Sequence, residues 1–334
     1  MGATIKEVAK KAGVSIATVS RVFNNSPLVN RSTIEHVRNV ARSLQYIPNA
    51  SARNLSRRKT DAFGMILPDL FGEFFSEVIR GADQTAQKHS YNLLLSSSHN
   101  NHKEIEEALN TMRGRVDGII IMSPHISAET LNNNLPKTLP VILLNCVVED
   151  DSFDSIVIDN FSGAYQITDH LIRHGHRRIA VIKGAKDNYE ADERLRGYRF
   201  ALEKGGLESS IEIEFEGDFS EEAGYNLANK IIESSPRPTA VFASNDSMGI
   251  GALKSFHDHG IAVPEDIALA GFDDIPIARY VKPSLTTIHV PMNEMGILGI
   301  ERLISAVDGK NTNKKEQIVF PTQLSIRESC GCSN

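Results

Sequence analysis

The chain has only three cysteines in 334 residues, Cys146, Cys330 and Cys332, too few and too clustered for a disulfide scaffold. Cys330 and Cys332 are spaced C-x-C rather than the C-x-x-C of redox and zinc motifs, and no further ligand can be placed beside them. All three are therefore expected to be ordinary thiols, with no metal and no cofactor. No apolar run reaches the roughly 18 residues that a membrane-crossing helix needs. The opening MGATIKEVAK has no apolar stretch behind a basic one, so neither a signal peptide nor a membrane partner is expected, and a cytoplasmic location is. There is no G-x-x-x-x-G-K-[ST] loop, and no strand pattern is followed by G-x-G-x-x-G, which removes the common phosphate cradles. A nucleophile elbow is missing as well, so no catalytic residue is assigned.

What is present is a sharp division of charge. Residues 1 to 59 hold 11 Lys and Arg against two acids, Glu7 and Glu35; that segment carries +9 and leaves −15 for the rest of a chain whose net charge is −6. A basic head on an acidic body points to a polyanionic partner. Within the head, Thr4 and Glu7 fit a capping box, and Ile5, Val8, Ala9 and Ala12 then fall on one helical face. Gly13 supplies a turn and Ser15 caps a second helix with Val19, Val22 and Phe23 inward and Ile16, Ala17, Ser20 and Arg21 outward. A third helix starts near Asn30 and repeats apolar residues at Ile34, Val37, Val40, Ala41 and Leu44. Three short helices within residues 1–48, two joined by a tight glycine turn, match the helix-turn-helix pattern.

Residues 49–60 turn to Ala, Ser and Arg with one large apolar residue, Leu55, and read as a linker. Beyond them, apolar runs such as FGMILP, VDGIIIMS, PVILLN, RIAVIKG, TAVFAS and IALAGFDD alternate with helical stretches, the pattern of parallel sheets built from βαβ units. They fall into two groups. The expected fold class is an all-α helix-turn-helix head on an α/β body of two doubly wound parallel-sheet lobes, with ligands at the carboxyl ends of the strands.

TIKEVAKKAGVSIATVSRVFNN, YIPNASARNL, LPDLFGEFFSEVIRG, GHRRIAVIKG, ASNDSMGIGAL, VPEDIALAGFDD and PSLTTIHVPMNEMG occur in this order along nearly the whole chain. In this the sequence resembles the lactose repressor (LacI/GalR) family of bacterial transcription regulators. The resemblance implies a recognition helix over residues 16–25 that enters the major groove of a palindromic double-stranded operator. Its small side chains would let the backbone approach closely. Ser15, Thr18, Ser20 and Asn24 would bond phosphates or polar base edges, Ile16 and Ala17 would touch thymine methyls, Arg21 would read guanine, and Thr4 would join them. It further implies a hinge helix with Asn49, Ala52 and Arg53, whose Leu55 wedges into the minor groove and bends the duplex.

For the body, residues 61–334, the resemblance implies a periplasmic-binding-protein type of fold with an effector cleft between two lobes. These cover about 61–160 with 291–321 and 161–290 with 322–330, joined by three crossings near Asp159, Val290 and Pro321. The first lobe would supply Asp69, Phe74, Phe75 and Asn145, the second Arg194, Phe219, Asn245 and Asp273. One of Phe74 and Phe75 is expected in the core, and Asn145 replaces an aspartate often found there. Carboxylates, amides, a guanidinium and aromatic faces suit a sugar-like effector. Asp274 is expected to point away from Asp273, as neighbours on an extended segment do. His170, His174 and His176 are assigned to a helix terminus. A homodimer is implied, since a palindrome matches a two-fold protein. The alternative is a sugar-binding protein or sugar-active enzyme without DNA function.

Overall fold

The computed structural model describes residues 3–24, 26–46, 59–99, 101–123, 126–146, 148, 153–207, 213–310 and 315–332. The chain divides into two units, residues 1–60 and 61–334.

In the first unit, α1 (Ile5–Ala12) opens on a capping box. The Glu7 amide donates to Thr4 Oγ1, and the Thr4 amide donates to Glu7 Oε2 at 2.7 Å. Gly13 ends α1 at φ +64, a left-handed conformation that glycine adopts without a Cβ clash. Ser15 caps α2 (Ile16–Phe23), and Asn30 caps α3 (Arg31–Ser43) by accepting from the Thr33 amide at 2.8 Å. Val8, Val19, Val22 and Val37 are 1 % exposed or less and, with Ala9, Ala12 and Ala41, form the core. Phe23, Ile34, Val40, Leu44 and Tyr46 close its edges. Burying each of the four valines contributes roughly 1.5–2 kcal/mol, so this small unit rests on very few side chains.

The second unit holds two parallel sheets. In the first, β1 (Ala62–Leu67), β2 (Asn92–Ser97), β3 (Gly118–Ile121), β4 (Val141–Leu144), β5 (Asp154–Ile158) and β11 (Gln317–Phe320) are ordered β11-β5-β4-β3-β1-β2. Its inner strands β1, β3 and β4 alternate between two cores. Met65, Ile120, Ile142 and Leu144 face one, while Ile66, Ile119, Ile121 and Leu143 face the other. Helices α4 (Glu73–Lys88) and α11 (Met292–Val307) cover the first face, and α5 (His102–Met112) and α6 (Ala128–Asn134) the second. Burial on both faces is why these strands read as unbroken apolar runs.

The second sheet is ordered β7-β6-β8-β9, from β6 (Ile179–Ile182), β7 (Glu214–Phe215), β8 (Ala240–Ala243) and β9 (Ala268–Ala270). Around it run α7 (Asn160–Arg173), α8 (Tyr189–Lys204), α9 (Glu221–Glu233) and α10 (Asp246–Asp258). The chain leaves the first sheet after Ile158, returns to it after β10 (Thr287–His289), and leaves again after Phe320 for β12 (Gln323–Ser325), which pairs antiparallel with β10. At these passages the Asp159 amide donates to the Phe320 carbonyl at 3.0 Å, and Thr322 Oγ1 donates to the Asp159 carbonyl at 3.3 Å.

Candidate functional site

On the head, the N-terminus of α2 is held by its own side chains. The Thr18 amide donates to Ser15 Oγ at 3.0 Å, and the two hydroxyls share a 2.9 Å bond. One turn on, Asn24 Nδ2 donates to Ser20 Oγ at 3.3 Å, while Asn24 Oδ1 is buried with no hydrogen-bond partner among the described residues. Ile16 is 46 % exposed, and Ala17 and Arg21 are exposed beside it, on the side away from buried Val19 and Val22. This outward strip is small apart from Ile16 and one cation, so a backbone or a groove edge can approach it closely. Thr4 belongs to the α1 cap, with Oγ1 donating to Glu7 Oε2 at 3.0 Å. Asn49, Ala52, Arg53 and Leu55 lie outside the described residues.

In the body, a cleft of about 340 Å³ opens between the two sheets at the carboxyl ends of their strands. All eight side chains singled out in the sequence line it: Asp69, Phe74, Phe75 and Asn145 from one side, Arg194, Phe219, Asn245 and Asp273 from the other. Phe74 and Phe75 meet edge to face with centroids 5.5 Å apart, and both are half-buried, packing against the core while also lining the cleft. Both sit on the first turn of α4, ahead of its first fully buried residue, Val78.

Arg194, 1 % exposed, is the hub of the second side. Its Nε donates to Asn160 Oδ1 at 2.9 Å and Nη1 to the Ser244 carbonyl at 2.5 Å. Its Cζ lies 3.8 Å from the Phe272 ring centroid, and Nη2 is 3.1 Å from Asp273 Oδ1 and 3.6 Å from Glu190 Oε2. The approach to Asp273 makes an ion pair but no hydrogen bond, so Oδ1 is a buried acceptor without a donor among the described residues. Burial pushes the Asp273 carboxyl up, Arg194 pulls it down and Glu190 pushes it up again, leaving it at about 7. Burial likewise raises Glu190, against the pull of Arg194 and a hydrogen bond from Asn145.

Three of these residues hold backbone conformations that side chains seldom adopt: Asn145 at φ +50, Phe219 at +73 and Asp273 at +110. Strain of this kind persists where surrounding contacts over-determine it, and it clusters at ligand clamps. Asp273 and Asp274 do part company, but not because the segment is extended, since Asp274 is also left-handed at φ +59. Asp274 turns instead to Arg327, His289 and Arg279. Asn245 caps α10 through the Met248 amide at 2.9 Å and donates Nδ2 to the Phe219 carbonyl at 2.9 Å. Asp69 Oδ1 accepts from the Leu70 and Phe71 amides.

The sequence reading missed Phe71, Glu73, Tyr189, Glu190, Asp218 and Glu221, which also line the cleft. Glu190 was within reach, because it stands one turn before Arg194 on α8 and so shares its face. With these, among the described residues, six lining carboxylates, Asp69, Glu73, Glu190, Asp218, Glu221 and Asp273, accompany one cation, Arg194. Cys146 sits in the wall, its thiol pushed up to about 12 by burial. Away from the cleft, His170 stands in the last turn of α7 as assigned, but the fold also brings it against Cys330 and Cys332, supplying the neighbour that the sequence did not place.

Residues 4–49 match the model of bacterial regulatory proteins of the lacI family, and residues 168–330 match the periplasmic binding protein-like domain. The chain is 34% identical over 331 residues to catabolite control protein A of Priestia megaterium, covering 98% of this chain and 99% of the other. The lac repressor dimer bound to operator and the anti-inducer ONPF superposes with a TM-score of 0.85 at 27% identity, covering 99% of both chains. The transcriptional regulator CelR in complex with cellobiose superposes with a TM-score of 0.74 at 30% identity, covering 98% of this chain and 99% of that one. With a matching head, a matching body and a relative aligned almost end to end, this chain belongs to the lacI family of bacterial regulatory proteins.

Proposed function

We propose that the protein is a transcriptional repressor that grips a palindromic operator and whose grip is set by a small polyhydroxylated effector in the cleft. The supporting observation is convergence: eight side chains spread from residue 69 to residue 273 meet on one cavity whose buried acceptor, Asp273 Oδ1, has no hydrogen bond among the described residues. A ligand hydroxyl would satisfy it, while Phe74, Phe75 and Phe219 offer apolar faces for a sugar ring. The excess of carboxylates favours a neutral or amino sugar over a uronate or a phosphosugar, since a second anion would meet like charge in a poorly solvated site. On the head, Ile16 and Ala17 would touch thymine methyls, Arg21 would read guanine, and Ser15, Thr18, Ser20 and Asn24, joined by Thr4, would bond phosphates or polar base edges.

Two copies act together, because a two-fold operator requires a two-fold protein. The edge strand β2 leaves Leu94 and Leu95 37 % and 41 % exposed, one on either face of the sheet edge, where a second copy can pack. Effector binding works by differential affinity for two lobe arrangements and is read out as DNA affinity. The cleft is assigned binding and no turnover, and the site of action is the cytoplasm, where the operator lies.

The test selects binding sequences from random duplex DNA, then titrates the selected duplex with neutral sugars, amino sugars, uronates and purines, following anisotropy and thermal shift. A neutral or amino sugar is expected to change operator affinity at least tenfold and to be recovered unchanged. An effector at 100 times its dissociation constant stabilises the body by about 2.7 kcal/mol. Failure to retain any duplex at low ionic strength, or conversion of the sugar to product, would defeat the reading.

A further inference from the structure

Away from the cleft, three donor atoms of metal-binding type converge. His170 Nε2, on the last turn of α7, lies 3.5 Å from Cys330 Sγ and 3.2 Å from Cys332 Sγ, and the three atoms all lie within 4.8 Å of one another. A tetrahedral zinc ion with Zn–S of about 2.3 Å and Zn–N of about 2.0–2.1 Å spaces its sulfur and nitrogen ligands roughly 3.5 Å apart. Both nitrogen-to-sulfur edges are already close to that length. Each thiol also has a backbone acceptor, the Arg327 carbonyl for Cys330 Sγ and the Cys330 carbonyl for Cys332 Sγ, both at 3.5 Å. What points to a metal is the convergence of all three donor atoms at nearly the ligand spacing of a zinc ion.

The thiols are also held in place. Immediately before Cys330, Ser329 is fully buried, accepting from the Thr286 amide at 2.8 Å and donating Oγ to the Leu269 carbonyl at 2.6 Å. Just after Cys330, Gly331 at φ +72 turns the chain so that Cys332 comes back toward the same imidazole. This is ligand pre-organisation by surrounding packing and hydrogen bonds. The C-x-C spacing is unhelpful as a motif because the third ligand is 160 residues away in sequence.

We propose that His170, Cys330 and Cys332 form a Cys2His site for a thiophilic divalent cation of the zinc type, with a water molecule in the fourth position. As each sulfur–metal bond forms, its thiol releases a proton to solvent, and the imidazole binds through its neutral Nε2. The location gives the site a consequence. Helix α7 follows the passage at Asp159 and residues 322–332 follow the passage at Phe320, so the ion fastens together two segments of the second lobe that each arrive from the first.

The test uses the full-length chain, reduced and freed of metal with a chelator. Cobalt(II) serves as a spectroscopic probe and zinc(II) as competitor. One equivalent of cobalt per protomer is expected, with the intense visible bands of a tetrahedral thiolate site, bleached by one equivalent of zinc. Cys332→Ser, a change at a half-buried position, is expected to lose the bands and at least tenfold in zinc affinity while keeping its operator binding. Cys330→Ser and His170→Gln should act in the same direction. Zinc is expected to raise the melting temperature of the parent and not of Cys332→Ser. Fully reduced parent protein that takes up neither ion, or Cys332→Ser protein that takes up both as the parent does, overturns the proposal. Because the reading is made on metal uptake rather than on DNA or sugar binding, its failure leaves the repressor function untouched, and the reverse holds too.

Discussion

Asn145 and Glu190 come from opposite sides of the cleft and are hydrogen-bonded to each other. Asn145 follows β4 and accepts the Ile158 amide through Oδ1 at 3.2 Å, while its Nδ2 donates to Glu190 Oε1 on the first turn of α8. A second strut runs from the other rim, where the Ile277 amide donates to Glu73 Oε2 at 2.8 Å. The cleft is therefore tied shut at two points by groups that a ligand can compete for. An asparagine at position 145 now makes physical sense, because an aspartate there would set a second carboxylate against the half-buried one of Glu190.

Asn145→Asp should accordingly weaken closure. Two carboxylates in contact cannot both ionise without cost, so one must stay protonated. Loss of the amide donor is expected to cost about 1–3 kcal/mol. Isothermal titration with the identified effector should show affinity for this variant falling at pH 8 relative to pH 6, with a smaller change in the parent. Equal affinities for parent and variant at both pH values would mean the strut carries no part of closure.

Asp273 makes the body's stability depend on pH in a defined direction. Its carboxyl is raised from an ordinary 3.8 to about 7 in the folded protein. Between these values the folded state binds more protons than the unfolded one, so the contribution is full below pH 4 and lost as pH rises to 7. The size is on the order of 1–4 kcal/mol. The difference in melting temperature between parent and Asp273→Asn should shrink or reverse across that window and level off above it. A difference independent of pH from 4 to 8 would contradict a neutral Asp273.

Much of this was legible beforehand, for a physical reason. Caps, glycine turns and apolar periodicity are local, so the three head helices and the alternating strands of the body could be read from neighbours in the chain. The eight cleft residues were legible only through the family's motif order, since nothing local tells Asp69 from any other exposed acid. Glu190 was missed because a carboxylate on the first turn of a helix reads as a dipole partner, and its burial depends on Asn145 from the other side. His170 was likewise read as a helix terminus, because its cysteine neighbours are supplied by a return of the chain 160 residues later.

Arg21 carries the sharpest expectation for the head. It is exposed on α2 next to Ile16 and Ala17, which have no side-chain donors or acceptors, so base-specific hydrogen bonding on this strip falls chiefly to its guanidinium. Arg21→Ala is expected to lose about 1–3 kcal/mol on the selected operator and far less on random duplex, measured by anisotropy at one fixed salt concentration. An equal loss on both would reassign Arg21 to the phosphate backbone, where it would act mainly through the salt dependence of binding.

Gly184 tests whether Phe219 is a working wall of the cleft. A Cβ at position 184 would fall 2.1 Å from Phe219 Cζ and 2.5 Å from Cε1, closer than packed carbons can approach. Phe219 cannot answer by shifting its backbone, because its carbonyl holds Asn245 Nδ2 and Asn245 in turn caps α10. Gly184→Ala must therefore swing the ring off its seat into the cleft, where it occludes the ligand. Effector affinity should fall at least tenfold, roughly 1.4 kcal/mol, while operator binding without effector stays near the parent's. The double variant Gly184→Ala with Phe219→Leu removes the atoms that clash and should recover thermal stability, but not the affinity owed to the aromatic face. Should Gly184→Ala alone bind effector as the parent does, Phe219 would be a packing residue and the ligand would sit nearer Phe74 and Phe75.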